Sequence, residues 1–408
     1  MSVDDRWHKS RPRSGEPVCR EHEKVPTSVH GDGDQWQVRW RDAAGHQRKR
    51  NFARKGSATS FDAEIRSRLD RGTSLDLAAG RQSVGAYARS WRADLTLRPS
   101  TTERLDRVFR LHVDELPLGR TSMAQARPSH LRAWVKDRAE VLAPSTLAVV
   151  WSNVAAMFNA AVLDRVIGVS PCTGAKPPAA DKRTRFVPDV DQVRAVAEAL
   201  PERYRAVAWL AAGCGWRRNE ILGAELGALD FLRRTAEVRQ QLMAVIGQSP
   251  YLAQPKTPTS YRVSEMPEVA SLAVARHLEL FPVAAAGIWD RTDTRKPVRR
   301  HAELVFTTAT GAPVHPAWWA KIWRTAADKA GIPKGVGVHC LRHYYATLLI
   351  HQGADVKTVQ LAMGHATPMI TLNTYVGEWP DAAGRTRSIV DAAFGNVPSV
   401  RPAEVSQP

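Results

Sequence analysis

Four short stretches in the C-terminal half carry side chains suited to work on an anion. The first, Cys214-Gly215-Trp216-Arg217-Arg218-Asn219-Glu220, is a glycine turn leading into a helix. Arg217 near that helix start offers a planar, permanently charged fork of the kind that grips phosphate, although a surface arginine pair would read the same way. The second, Gln254-Pro255-Lys256-Thr257-Pro258, places Lys256 in a turn-rich hairpin and says little alone. The third, Val338-His339-Cys340-Leu341-Arg342-His343, sets His339 and Arg342 one helical turn apart, so both can face one ligand. His339 and His343 also have metal-ligand spacing, but no convincing further ligand follows, and the arginine between them favours an anion. The fourth, Leu361-Ala362-Met363-Gly364-His365, ends a helix on glycine and follows it with a histidine. Asn373-Thr374-Tyr375 comes after a short polar stretch, and Tyr375 alone would be an ordinary tyrosine.

The elements that must position these residues belong to a chain built for a polyanionic partner. Among 408 residues, 58 Lys+Arg stand against 41 Asp+Glu, a net charge of +17. Such a field concentrates nucleic acid, although a basic enzyme of another kind would share it. The length calls for two or three domains, and 43% hydrophobic residues fit a globular protein. No uninterrupted apolar run approaches the roughly 20 residues of a membrane helix, and the N-terminus is not of signal-peptide type. Cys19, Cys172, Cys214 and Cys340 form neither a CxxC pattern nor a disulfide framework. With no GxxxxGK loop, GxGxxG or HExxH, the expectations are no cofactor, no metal and no membrane, and the scattered cysteines suit a reducing cytoplasm.

The fold class expected is α+β, mainly helical and multi-domain. Residues 1–25, charged and dotted with Pro and Gly, read as a flexible leader. Residues 26–75 read as a strand–strand–helix unit: an alternating strand around Trp36-Gln37-Val38-Arg39-Trp40, a turn at Gly45, the basic strand Gln47-Arg48-Lys49-Arg50-Asn51-Phe52 and a helix over 60–69. A minor hairpin packed on a larger domain is one reading of it. The basic strand favours a sheet that faces DNA, with Arg48, Lys49, Arg50 and Lys55 reaching phosphates or base edges. Residues 83–170 have helical periodicity throughout and predict a bundle of about four helices. Residues 171–185 form a linker, where Lys182 and Arg183 suit a DNA crossing or a plain solvated charge run. Residues 186–395 predict a mixed, mostly helical domain, with strands near 234–241, 261–266 and 304–306 and helices over 316–330, 340–352 and 356–363. An arginine-rich insertion at 291–301 has no assigned role beyond a phosphate contact, and 396–408 is a tail.

Together, in their order and intervals, the four stretches resemble the tyrosine recombinase (phage integrase) family. The arginine box is Gly215-Trp216-Arg217-Arg218-Asn219-Glu220, the hairpin lysine Lys256, the HxxR box His339-Cys340-Leu341-Arg342, the GH motif Gly364-His365 and the nucleophile Tyr375. Asn219 replaces the usual glycine, and the interval from His365 to Tyr375 is one residue longer than in many members. Upstream, the helical region is similar to the family's core-binding (SAM-like) domain and the basic unit to the arm-type DNA-binding domain of many integrases.

The resemblance implies a site-specific recombinase that stores a DNA phosphodiester as a 3′-phosphotyrosine and then restores it, integrating and excising a phage or other mobile element. Charge on the phosphorane-like transition state is met by positioned cations. Arg217 and Arg342 would hold the non-bridging oxygens, Lys256 would protonate the leaving 5′ oxygen and His365 would donate to the phosphate. A tyrosine with a pKa near 10 needs help losing its proton, and His339 is the expected general base, with Glu220 orienting the arginines. The partners implied are double-stranded core and arm attachment sites, a homotetramer on DNA, a directionality factor and a host DNA-bending protein, and the location implied is bacterial and nucleoid-associated. A non-catalytic DNA-binding regulator leaves these residues unexplained. A type IB topoisomerase-like enzyme shares the chemistry, and a chromosome-dimer resolvase normally lacks an arm-type unit.

Overall fold

Alternation of Trp36, Val38 and Trp40 with polar residues makes a half-buried strand, and the chain builds its first sheet around it. In the computed structural model the described residues are 2–41, 47–70 (68–70 as backbone alone), 79–179, 185–245, 247–375 and 377. They divide into two compact units, Met1–Arg183 and Thr184–Pro408. Gly45, Lys182 and Arg183 lie outside the described residues.

In the first unit β1 (Ser2–Asp5), β2 (Trp36–Arg41) and β3 (Gln47–Phe52) form an antiparallel sheet in the order β1-β2-β3. Trp36 pairs with Phe52, Val38 with Arg50 and Trp40 with Arg48. Helix α1 (Lys55–Asp70) covers the face these pairs share, since Phe61 meets Trp40 at 5.3 Å and Phe52 at 5.1 Å between ring centroids. Residues 2–26 are not the detached leader their composition suggested. They supply the edge strand β1, a bridge from His8 to Pro26 and an Arg6 N–H donated to the Gln35 carbonyl at 2.8 Å. Edge pairing runs through backbone groups, which every residue carries, so a polar segment with no apolar period can still join a sheet.

The helical part comprises α2 (Val84–Asp94), α3 (Pro99–Phe109), α4 (Pro117–Arg120), α5 (Pro128–Val141) and α6 (Pro144–Leu163). Proline in the first turn of α3, α5 and α6 starts each helix where a missing N–H costs nothing. Phe109, Leu131, Trp134, Val154, Met157 and Phe158 meet in its core. Helix α6 is long and apolar enough by composition to cross a membrane, although polar residues interrupt its apolar run. Among them, Ser152 and Asn153 bond back through their side chains to the Ala148 and Val149 carbonyls. Its buried row, Leu147, Val150, Val154, Met157, Phe158 and Ala161, packs into the bundle.

The second unit opens with α7 (Val190–Ala199), capped by Asp189 and Gln192, then α8 (Arg205–Cys214) and the short α9 (Arg218–Leu222). Strands β4 (Leu229–Asp230), β5 (Thr235–Val238), β6 (Gln241–Met243), β7 (Tyr251–Ala253) and β8 (Arg262–Glu265) follow, then α10 (Glu268–Leu280), β9 (Ala286–Arg291) and β10 (Val298–Ala302). They make two sheets, β4-β5-β8 and β10-β9-β7-β6, with β7 and β9 parallel. The chain ends its described part in α11 (Pro316–Lys329), α12 (His339–His351), α13 (Val356–Met363) and α14 (Pro368–Tyr375). Helix α8 is the hub, packed against α7, α10 and α12, with Val207, Leu210, Trp216, Trp319 and Leu341 in one core.

Three local expectations change here. The stretch at 291–301 belongs to the β9–β10 hairpin, and Arg300 is tied to Glu225 at 2.6 Å and Asp290 at 2.7 Å, so its charge is answered internally. Leu304, Val305 and Phe306 are buried, but only Leu304 pairs, through an isolated bridge to Glu225, and the chain then bends, because burial rather than pairing selected the apolar run. Lys256 is on the connection from β7 to β8, which joins the two sheets, and not on a hairpin.

Candidate active site

Gly215 ends α8 in the left-handed region, φ 64°, and a Cβ there would fall 2.4 Å from the Tyr345 ring. Only glycine makes this turn without a clash, and the turn delivers Arg217 to the start of α9. Arg217 donates from Nη1 to Glu220 Oε1 at 2.7 Å and from its backbone N–H to Oε2 at 2.9 Å. Arg262, from β8, donates to the same Oε2 at 3.0 Å. Glu220 is 3% exposed and bridges the two guanidinium groups. Burial pushes its pKa up, but Arg262, Arg217 and Arg342 outweigh that and hold it below the usual carboxylate value.

Arg342, 1% exposed on α12, donates to the carbonyls of Gly215 and Met363. It therefore ties the end of α8 to the end of α13. Burial, and then the charges of Arg217 and Arg262, bring its pKa down to about 9, which leaves it charged at neutral pH.

Helix α13 stops at Gly364, φ 58°, where a Cβ would lie 2.9 Å from the Thr259 carbonyl oxygen. His365 follows, and its Nδ1 lies 2.9 Å from the buried Thr371 hydroxyl of α14. That contact fixes the ring and leaves Nε2 for another partner. Tyr375 closes α14, and its Oη lies 2.7 Å from Nδ1 of His343, one turn along α12 from His339. The His339 and His343 rings meet edge to face at 4.7 Å. Arg185 donates to the Thr374 carbonyl at 2.8 Å, pinning the end of α14. Burial leads in lowering all three histidines, helped by His343, Arg342 and Arg217 at His339, by Arg185 and Arg342 at His343, and by Arg342, Arg217 and Arg262 at His365. His343 and His365 are brought down to about 4, so both are neutral at pH 7.

These groups surround an open cleft of about 440 Å³ lined by Arg185, Arg217, Lys256, His339, His343, His365 and Tyr375. Of the residues singled out from sequence, Arg217, Lys256, His339, His365 and Tyr375 line it together. Glu220 lies behind Arg217, and Arg342 is buried and braces two carbonyls instead of lining the cleft. Arg262, His343, Arg185 and Thr371 were not singled out as site residues. The nearest signal for His343 was its place beside Arg342 in the third stretch, where its spacing from His339 invited a metal reading.

A tyrosine hydroxyl against a neutral imidazole, in a cleft walled by arginine and lysine, equips a protein to transfer a phosphoryl group to tyrosine. Residues 188–379 match the phage integrase family. A tyrosine recombinase XerC-like protein of Caldanaerobacter subterraneus subsp. tengcongensis is 29% identical over 235 residues, 53% of this chain and 58% of that protein. The integrase of Mycobacterium phage D29 is 24% identical over 299 residues, covering 72% of this chain and 75% of its own. Among solved structures, the Tn1549 transposon integrase (residues 82–397) in complex with a circular intermediate DNA superposes with a TM-score of 0.64 at 20% identity, covering 77% of this chain and all of that one. A lambda integrase tetramer bound to a Holliday junction gives 0.52 at 13% identity over 84% of this chain and 95% of that one. Residues 188–379 are thus a domain of the phage integrase family, and the chain has the fold of integrases of known structure.

Proposed function

We propose that this chain is a tyrosine site-specific recombinase that cleaves and rejoins DNA at attachment sites through a 3′-phosphotyrosyl intermediate on Tyr375, integrating and excising a phage or other mobile element. The observation that carries it is the Tyr375 hydroxyl 2.7 Å from His343 Nδ1, in the cleft of Arg217, Lys256, His339 and His365. Oη attacks phosphorus, the bond to the 5′ oxygen breaks, and the attack of another strand's 5′ hydroxyl reverses both events. Bond types are conserved, so no energy source is consumed. Arg217, held by Glu220, meets the non-bridging oxygens, with Nε2 of His365 donating beside it. Arg342 fixes the two turns that carry them and strengthens the positive field from beneath. Lys256 protonates the leaving 5′ oxygen. With its proton on Nε2, His343 accepts the tyrosine proton at Nδ1, a role the residue order alone gave to His339, which is left to bind phosphate.

The mobile-element reading is supported by the basic first sheet. Arg39 pairs with Lys49 and Arg41 with Gln47, so these cations project from the face opposite α1. Arg50 instead stacks over the Phe52 and Phe61 rings, 5.2 Å from each centroid, and Arg48, opposite Trp40, shares that face. Lys55 lies over the Trp36 ring at 5.2 Å. Phosphate contact at arm sites falls first to Lys49, with Arg39 and Arg41. Assembly as a homotetramer on paired core and arm sites, in the bacterial cytoplasm at the nucleoid, completes the proposal, with a directionality factor and a DNA-bending protein setting direction. The test is a nicked suicide substrate carrying the attachment site, with the adduct digested and sequenced by mass spectrometry. A nucleotide remnant on Tyr375 is expected, and a remnant on another residue refutes the assignment.

A further inference from the structure

The part of the first unit ahead of α2, the sheet with α1, buries few apolar side chains for its size. Among its described residues before α2, Val25, Val38 and Ala58 are the buried apolar side chains. A fold this small ordinarily needs a staple in addition to its core. The segment read from sequence as a leader supplies the material for one. His8, Cys19, His22 and His30 each offer one ligand atom, and these four atoms lie within 4.8 Å of one another.

We propose that His8, Cys19, His22 and His30 bind a structural zinc ion that pins the segment ahead of β2 to the sheet. Zinc with bonds of about 2.0–2.1 Å to nitrogen and 2.3 Å to sulfur sets neighbouring tetrahedral ligands about 3.3–3.6 Å apart. Cys19 Sγ lies 3.4 Å from His8 Nε2 and 3.7 Å from His22 Nδ1. The remaining ligand, His30, has its Nε2 buried without any hydrogen-bond partner, and a metal ion satisfies that atom. His8 is 4% exposed, and its other nitrogen, Nδ1, lies 2.8 Å from Asp5 Oδ2. A carboxylate behind a ligating imidazole fixes the ring and raises its basicity, as in many zinc sites. Gln35 holds that carboxylate in turn, at 3.3 Å. Trp7 covers the cluster, with its ring 5.6 Å from His30 and 6.1 Å from His22.

Three nitrogens and one thiolate select zinc over calcium or magnesium, which take oxygen ligands. Four protein ligands close the coordination sphere, so the ion is structural and not catalytic. The ion ties together the residues just after β1, the loop at 19–22 and residue 30, across a stretch with almost no apolar packing. Its binding energy becomes folding energy for the sheet that carries Arg39 and Lys49. This last step rests on the arm-site reading above, whereas the metal assignment rests on ligand geometry alone.

The test uses the full chain, freed of any histidine tag, grown with zinc, dialysed and assayed by inductively coupled plasma mass spectrometry. One zinc per chain is expected, falling to background in Cys19→Ala and His22→Ala and unchanged in the control Cys172→Ala. Asp5→Asn should keep the site but weaken zinc by about 10–100-fold. Should the ligand variants fail to fold, cobalt substitution of the wild-type chain decides. Visible bands of tetrahedral cobalt with a thiolate charge-transfer band support the site, and octahedral or absent cobalt overturns it, as does background zinc in the wild type. Chelation is then scored against arm-site and core-site DNA separately. Arm-site binding that survives removal of a bound zinc overturns the link to DNA and leaves the metal site standing.

Discussion

Replacing His343 by alanine removes a hydrogen-bond partner of the Tyr375 hydroxyl, and the size of the effect can be worked out beforehand. The 2.7 Å contact joins a phenol to a ring whose pKa is brought down to about 4, so the ring is neutral and has Nδ1 open to the phenol proton throughout the neutral range. Without it, cleavage must proceed through tyrosine that has already ionised. For an ordinary pKa near 10 that is about one molecule in a thousand at pH 7, a loss of about 4 kcal/mol, within the usual range for general-base catalysis. The variant's rate should also rise about tenfold per pH unit above neutrality, while the wild type stays flat. The assay is single-turnover formation of covalent adduct on a suicide substrate, with DNA binding measured separately. His343→Asn keeps an acceptor but no base, so full rescue by asparagine would assign a positioning role. A His343→Ala rate within about tenfold of wild type, with an unchanged pH profile, refutes the reasoning.

Glu220→Gln should destabilise the second unit by about 3–5 kcal/mol in denaturant melts, because Arg217 and Arg262 lose their buried counter-charge. Stability should also fall on acidification from about pH 6.5 towards 4. In that window the unfolded chain protonates His343 and His365, which the fold keeps neutral, so the unfolded state binds more protons and gains as pH drops. The depressed Glu220 pKa adds a loss of the same sign lower down, and denaturant midpoints across this range check both. Lys49→Ala should weaken arm-site DNA and lower the salt slope by about one, whereas Arg50→Ala should leave the slope nearly unchanged and cost packing on Phe52 and Phe61.

How much of this was legible in the sequence depends on the kind of signal. The strand at 47–52 and the helix at 356–363 have the predicted bounds, because a turn or a cap marks each end. The cleft residues were readable because their order along the chain is distinctive, even though Tyr375 alone is unremarkable. What order cannot show is depth. Arg342 carries the motif yet is buried under two carbonyls, and Arg262 looked like an ordinary strand residue until β8 brought it to Glu220. His343 was passed over once its metal-like spacing from His339 found no further ligand, because spacing along a helix reports which residues share a face, not what stands opposite. The tetrad of His8, Cys19, His22 and His30 escaped because a search keyed to paired cysteines passes over a single one. The leader's polar composition, read as absence of structure, was the material of a site.

The most direct test of the central claim is covalent trapping by the Tyr375→Phe variant on a nicked attachment-site substrate, resolved on a denaturing gel. The variant should bind this DNA as tightly as wild type, since phenylalanine keeps the packing of Tyr375 against Ala346, Ile350 and Met363. It should form no protein–DNA adduct. An adduct that persists in Tyr375→Phe at anything near the wild-type yield would contradict the account at its root.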